Sequence, residues 1–152
     1  MYQSINHEGF IRESYILANR AARRGDHPFG ALLVRDNVIL STAENTVVTT
    51  HDRTRHAELN LLMDAPQNVG PDWFTDSILY TSTEPCIMCS GAIYWSGVST
   101  VVFGCSAKLL AEFAGNDLTI SCKEIFAWGK RPIVTIGPVL EGEGGVIHKI
   151  FW

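Results

Sequence analysis

The stretch Ile78-Leu79-Tyr80-Thr81-Ser82-Thr83-Glu84-Pro85-Cys86-Ile87-Met88-Cys89-Ser90-Gly91-Ala92-Ile93-Tyr94-Trp95 joins two kinds of local structure across one proline. Ile78 to Thr81 is a short run of apolar and β-favouring residues, the composition of a strand. Pro85 has a fixed φ and no N–H, so it costs least near the first position of a helix, here expected over residues 86–96. Thr100-Val101-Val102-Phe103 then returns as another strand.

Alternation of this kind continues in both directions. Upstream, residues 6–24 read as an amphipathic helix, with Ile11, Tyr15, Ala18 and Ala22 on one face and Arg12, Arg20, Arg23 and Arg24 largely off it. Gly25 is its expected stop. Gly30 to Val34 reads as a buried strand, Asp36-Asn37 as a turn, and Val38 to Thr42 as the returning strand of a hairpin. A polar loop over 45–55 carries Asn45 and Asp52; a helix over 57–65 and a loop from Pro66 to Asp76 follow. Downstream, residues 107–113 read as helical and Pro132 to Ile136 as a short fifth strand. The tail from 138 ends in a helix or turn carrying Phe151 and Trp152. These elements predict a three-layer α/β/α sandwich around a five-stranded mixed sheet, mostly parallel, with the hairpin at its start.

No repeat, low-complexity tract or linker divides the 152 residues, so residues 1–152 are expected to form a single domain. Hydrophobic residues at 46% against 18% charged argue against disorder. A net charge of -4 and a pI of about 5.7 announce no broad basic face, which weighs against long nucleic acid as a partner. No uncharged apolar run approaches the roughly 18 residues of a membrane helix, and the first residues do not read as a signal peptide. A cytoplasmic protein with no membrane association is the default expectation. In a reducing compartment Cys86 and Cys89, at CxxC spacing, suggest metal or redox chemistry before a disulfide.

His56-Ala57-Glu58 and Pro85-Cys86-Ile87-Met88-Cys89 together form an H-x-E…P-C-x-x-C pair, the signature of zinc deaminases. Each half is weak alone; the combination is specific because both halves fall at predicted helix starts. Cys86 and Cys89, three apart in one helical turn, project their sulfurs to one side. The positive helix end favours thiolates, the form that binds metal. His56 adds a nitrogen, and three protein ligands leave a fourth tetrahedral position for water, the mark of a catalytic zinc site. Glu58 need not bind the metal and is the candidate proton carrier.

A structural zinc half-site lacks a second Cys or His pair, since Cys105 and Cys122 are widely spaced and read better as buried apolar groups. A thioredoxin-like CxxC would leave Pro85 and the His-x-Glu element as coincidences. His7, His27, His51 and His148 read as surface or core histidines, with His51 the best placed to line a site. The arginines of the first helix read as its solvent face.

The same residues resemble the cytidine-deaminase-like superfamily of zinc aminohydrolases, and within it the guanine deaminase and tRNA adenosine deaminase branch. The resemblance spans residues 5–105 and is carried by Pro28-Phe29-Gly30-Ala31, Asn45, His51 to Glu58, and Leu79 to Trp95. It implies the cytidine-deaminase-like fold, one zinc per chain on His56, Cys86 and Cys89, Glu58 as catalytic residue, and a homodimer. Asn45, Phe29 and Ala57 match positions that hold or line the substrate; Trp95, Asp117 and Trp152 are looser matches to the pocket. Beyond residue 105 the sequence departs from the guanine deaminases, with Asn116-Asp117 and Phe151-Trp152 near where that branch closes its pocket. The implied activity is hydrolysis of a free purine base, guanine to xanthine and ammonia. Cytosine, a nucleoside or another aminated heterocycle is the alternative substrate. A tRNA loop would need phosphate contacts, against which the acidic balance argues. A non-enzymatic, zinc-stabilised binding module would have no use for Glu58.

Overall fold

A computed structural model describes residues 4–65 and 74–152. Helix α1 (His7–Arg24) begins where the Asn6 side chain accepts a hydrogen bond from the Gly9 N–H and ends at Gly25, whose φ of 96° is left-handed. Its buried face is Ile11, Ser14, Tyr15, Leu17, Ala18 and Ala21; Ala22, expected on that face, is only half-buried. The hairpin β1 (Gly30–Arg35) and β2 (Val38–Glu44) turns on Asp36 and Asn37, both with positive φ, as a two-residue connection requires. The predicted polar loop contains one helical turn, α2 (Val47–Thr50), before α3 (Ala57–Asp64). Most of the expected Pro66 to Asp76 loop lies outside the described residues.

Strand β3 (Ile78–Thr83) leads into α4 (Ile87–Ser96), then β4 (Thr100–Cys105) and α5 (Ala107–Ala114). Cys86 is the N-cap of α4, so Pro85 precedes the helix by one position more than expected. A further helix, α6 (Cys122–Ala127), was not anticipated, although Ser121 and Glu124 form an S-x-x-E start signal and the Ser121 hydroxyl accepts from the Glu124 N–H. Strand β5 (Val134–Ile136) and α7 (Glu141–Phe151) complete the chain.

The sheet order is β2-β1-β3-β4-β5. β1 runs antiparallel to both β2 and β3, while β3–β4 and β4–β5 are parallel. Half the pairings are thus antiparallel, which corrects the mostly parallel expectation: the hairpin enters through its first strand, which pairs on both edges. Alternate residues face opposite layers, as the period of a strand demands. Ala31, Leu33, Leu79, Val101 and Phe103 pack with Leu61, Ile93 and Phe126 from α3, α4 and α6. Leu32, Val34, Tyr80 and Val102 pack with Ile11, Tyr15 and Ile147 from α1 and α7. This is the three-layer sandwich, and burial on both faces explains why β1 reads as an unbroken apolar run. Gly30 lets α1 approach β1 closely, since a Cβ there would lie 2.6 Å from the Ser14 carbonyl oxygen.

Candidate active site

Two helix starts meet at the edge of this core. His56 is the N-cap of α3 and Cys86 the N-cap of α4, both in extended conformation, with Cys89 in the first turn of α4. The His56 Nδ1 lies 3.6 Å from the Cys86 Sγ and 3.5 Å from the Cys89 Sγ. A tetrahedral zinc with bonds of about 2.0 Å to nitrogen and about 2.3 Å to sulfur requires N···S separations of about 3.5 Å. The donor set therefore fits zinc in both chemistry and spacing. Among the described residues, these three form the one group of side chains clustered as metal ligands, and Glu58 is outside it.

The electrostatics agree with a thiolate site. The Cys89 thiol donates to the Cys86 sulfur, which, with His56 and the Cys89 backbone N–H, outweighs burial and holds the Cys86 thiol down at about 4. The same bond, with burial, pushes Cys89 up, and binding a metal would require both thiols to lose their protons. The Cys86 sulfur in turn raises His56.

Glu58 is 5% exposed, and burial followed by the nearby Cys86 charge raises its carboxyl above the ordinary range. Its Oε1 accepts a 2.8 Å hydrogen bond from the Thr81 hydroxyl of β3, which fixes its direction. A cavity of about 230 Å³ opens over this group and is lined by His56, Cys86 and Glu58. Its other walls are Phe29, Leu110 and Trp152, with His27, Glu84 and Asn116 as polar neighbours.

The sequence-predicted residues divide between the cavity and its surroundings. His56, Cys86, Glu58, Phe29 and Trp152 line it, and Cys89 lies buried beside it. Ala57 is fully buried and Asn45 is 1% exposed; neither contributes to the lining. The Asn45 Oδ1 accepts from the Val47 N–H at 3.0 Å, while its Nδ2 is buried without a partner among the described residues. Trp95 is 84% exposed and away from the cavity, because nine residues of helix separate it from Cys86, about 13 Å of axial rise. Asp117 is exposed, and its neighbour Asn116 takes the lining position. His51 is an exposed cap of α2, so His27 is the non-ligand histidine at the cavity.

Glu84, His27 and Leu110 line the cavity without having been singled out by the sequence, whereas Asn116 falls in the Asn116-Asp117 pair that the resemblance placed near the pocket. Glu84 alone had a local signal, its place next to Pro85. Its carboxylate accepts from the first N–H of α5 (Ala107, 2.9 Å) and of α6 (Cys122, 3.1 Å), pinning two helix ends to the metal-binding turn. Cys105 and Cys122 are buried free thiols; burial pushes Cys105 up to about 12 and raises Cys122 as well.

Known proteins share these features. Residues 4–105 match the cytidine and deoxycytidylate deaminase zinc-binding region. A probable cytosine deaminase of Schizosaccharomyces pombe is 36% identical over 153 residues, covering 94% of this chain and 90% of that protein. A guanine deaminase of Bacillus subtilis is 40% identical over 122 residues, covering 80% and 78%. The guanine deaminase structure from Nitrosomonas europaea superposes with a TM-score of 0.84 over 99% of this chain and 86% of that one; at 22% identity it shows the common fold. The motif pair, the ligand spacing and the matched region agree, and the chain belongs to the cytidine and deoxycytidylate deaminase family of zinc-dependent aminohydrolases.

Proposed function

We propose that the chain deaminates a free purine base, converting guanine and water to xanthine and ammonia, with one zinc per chain held by His56, Cys86 and Cys89. The observation that carries this reading is the cavity. At about 230 Å³ it lies below the roughly 300–1,000 Å³ typical of drug-sized ligands, a size suited to one heterocycle. No lysine or arginine is among its described lining residues, so nothing there answers a phosphate. The aromatic surfaces of Phe29 and Trp152 suit a flat base.

When bound, zinc supplies a Lewis acid that makes water nucleophilic near neutral pH. Glu58 does the proton work: it takes a proton from the attacking water and passes one to a ring nitrogen. It then takes the remaining proton of the hydroxyl added to the carbon and passes it to the amine as the carbon–nitrogen bond breaks, and ammonia leaves. Thr81 keeps the carboxylate aimed while this happens. Asn45 lies behind this lining, and its amide, without a partner among the described residues, would reach the edge of the base only if the wall in front of it shifts.

The Bacillus subtilis relative supports guanine, and the Schizosaccharomyces pombe relative makes cytosine the second reading. A homodimer is part of the same proposal. Ile87 and Met88 at the start of α4 and Trp95 near its end leave apolar surface uncovered in the single chain. The test is ammonia release from guanine, cytosine, adenosine, cytidine and a tRNA, with sedimentation mass measured on the same sample. Guanine turned over fastest, by a protein sedimenting as two chains, is expected. Preference for cytosine or tRNA would overturn the substrate, and a monomer the assembly.

A further inference from the structure

His148 is a buried titratable group that the proposed chemistry does not use. It lies on α7, is 1% exposed, and has both ring nitrogens engaged. Its Nδ1 lies 3.2 Å from the Trp152 indole nitrogen, and its Nε2 lies 2.7 Å from the Thr83 hydroxyl. An indole N–H only donates, so Nδ1 must accept. The imidazole therefore carries its proton on Nε2 and donates it to Thr83. Burial keeps the ring neutral by pushing it down to about 4, so this arrangement holds across the neutral range.

The positions of the two partners give the contact its meaning. Trp152 lies just beyond the last residue of α7, where a helix end frays unless something ties it down, and its ring forms part of the cavity wall. Thr83 belongs to β3, two residues after Thr81, which holds Glu58. The His148 ring also packs against Phe29 at 5.3 Å, and Trp152 against His27 at 5.3 Å, both cavity residues.

We propose that His148 is a positioning residue for substrate: it ties the Trp152 indole to Thr83 of β3 and so fixes one wall of the cavity at a set distance from Glu58. The tie stands on the geometry alone; its effect on substrate binding rests on the deaminase reading. The wall touches the base both before and during reaction, so loosening it weakens ground state and transition state alike. That raises KM more than it lowers kcat.

The test uses the zinc-loaded full chain, four single variants, and the first three of these also made in the Trp152→Phe background. His148→Leu removes both bonds at similar volume. His148→Gln keeps an acceptor for the indole and a donor for Thr83. Thr83→Val removes only the acceptor on β3, and Trp152→Phe removes the indole N–H. Zinc content is measured for each, with ammonia-release kinetics on the best substrate. Acrylamide quenching isolates the Trp152 fluorescence as the difference between each protein and its Trp152→Phe counterpart.

With zinc unchanged, His148→Leu should raise KM about tenfold with a smaller change in kcat, the scale of one or two lost hydrogen bonds. His148→Gln should stay within about threefold of the parent, and Thr83→Val should fall between. In the Trp152→Phe background His148→Leu should add less than about twofold, because the two residues act as one unit. Trp152 should become more quenchable in His148→Leu. Additive effects of the two substitutions, or unchanged KM and quenching in Thr83→Val should His148→Leu fail to fold, would overturn the proposal. If no substrate releases ammonia from the parent, the deaminase reading fails, while the quenching comparison still decides whether His148 holds Trp152.

Discussion

His56 and Glu58 are two positions apart at the start of α3, and the helix geometry gives them different tasks. His56, as N-cap, is extended and turns Nδ1 towards two sulfurs. Glu58, in the first turn, is bonded to Thr81 instead and stays outside the ligand group. The cysteines carry the complementary burden, since Cys86 favours its thiolate and Cys89 supplies the second sulfur. Replacing both Cys86 and Cys89 with Ala leaves a lone imidazole, which cannot hold zinc tightly. Elemental analysis of the purified variant should find almost no zinc; full retention would remove these residues from the metal site. Asn45 poses a sharper question, because one side-chain atom already structures the loop through Val47 while the other has no partner among the described residues. If the free amide pairs with substrate, Asn45→Ala should lower kcat/KM about tenfold, the scale of one hydrogen bond, with zinc unchanged. Full activity would reduce Asn45 to a loop residue.

The elements that place these residues depend on a few polar anchors. Asp26 follows Gly25, precedes the cavity residue His27, and its side chain is fully buried. It accepts from the Val48 and Thr49 N–H groups and from the Thr49 hydroxyl, and it pairs with Arg24. Burial alone would raise this carboxyl, but the bonds from Thr49 and Arg24 together hold it below its ordinary value. Its stabilising effect is therefore complete above the unfolded value of about 4 and is lost as pH falls through the lower folded value. Asp26→Asn should cost about 1–3 kcal/mol at neutral pH and flatten the acid limb of the stability curve, as read by urea denaturation at several pH values. An unchanged acid limb would show that Asp26 is not the anchor.

Which elements could be read from sequence follows from the same physics. β1, β3, β4 and the long helix α1 announce themselves through apolar runs and period. Helix α6 is only six residues long, too short for a period, and its cap at Ser121 and Glu124 was its sole signal. Helix α7 carries Gly142, Gly144 and Gly145, which disguise it. Gly144 has a packing reason, since a Cβ there would lie 2.6 Å from the Tyr15 hydroxyl.

At the scale of the molecule, the sheet brings two distant helix starts together and the tail closes over them. The clustering of His56, Cys86 and Cys89, with Glu58 beside them, was legible because their spacing within each short motif is itself the signal. The cavity walls were legible only in part: Phe29, Trp152 and the Asn116 region came through the resemblance, while His27 and Leu110 come from separate segments whose meeting is fixed only by the fold. Two carboxylates line that enclosure outside the ligand group, Glu58 and Glu84; Glu84 is engaged by two helix starts, which leaves Glu58 to move protons in the proposed reaction. Glu58→Gln keeps the size and the bond to Thr81 but removes the base. The decisive measurement is turnover and zinc content on the same preparation of this variant. Zinc should stay near the parent level, with turnover reduced about 10⁴-fold, the upper end of what general acid–base help typically supplies, or more. Loss of zinc would make Glu58 a ligand or prop, and near-normal turnover with zinc retained would contradict the mechanism outright.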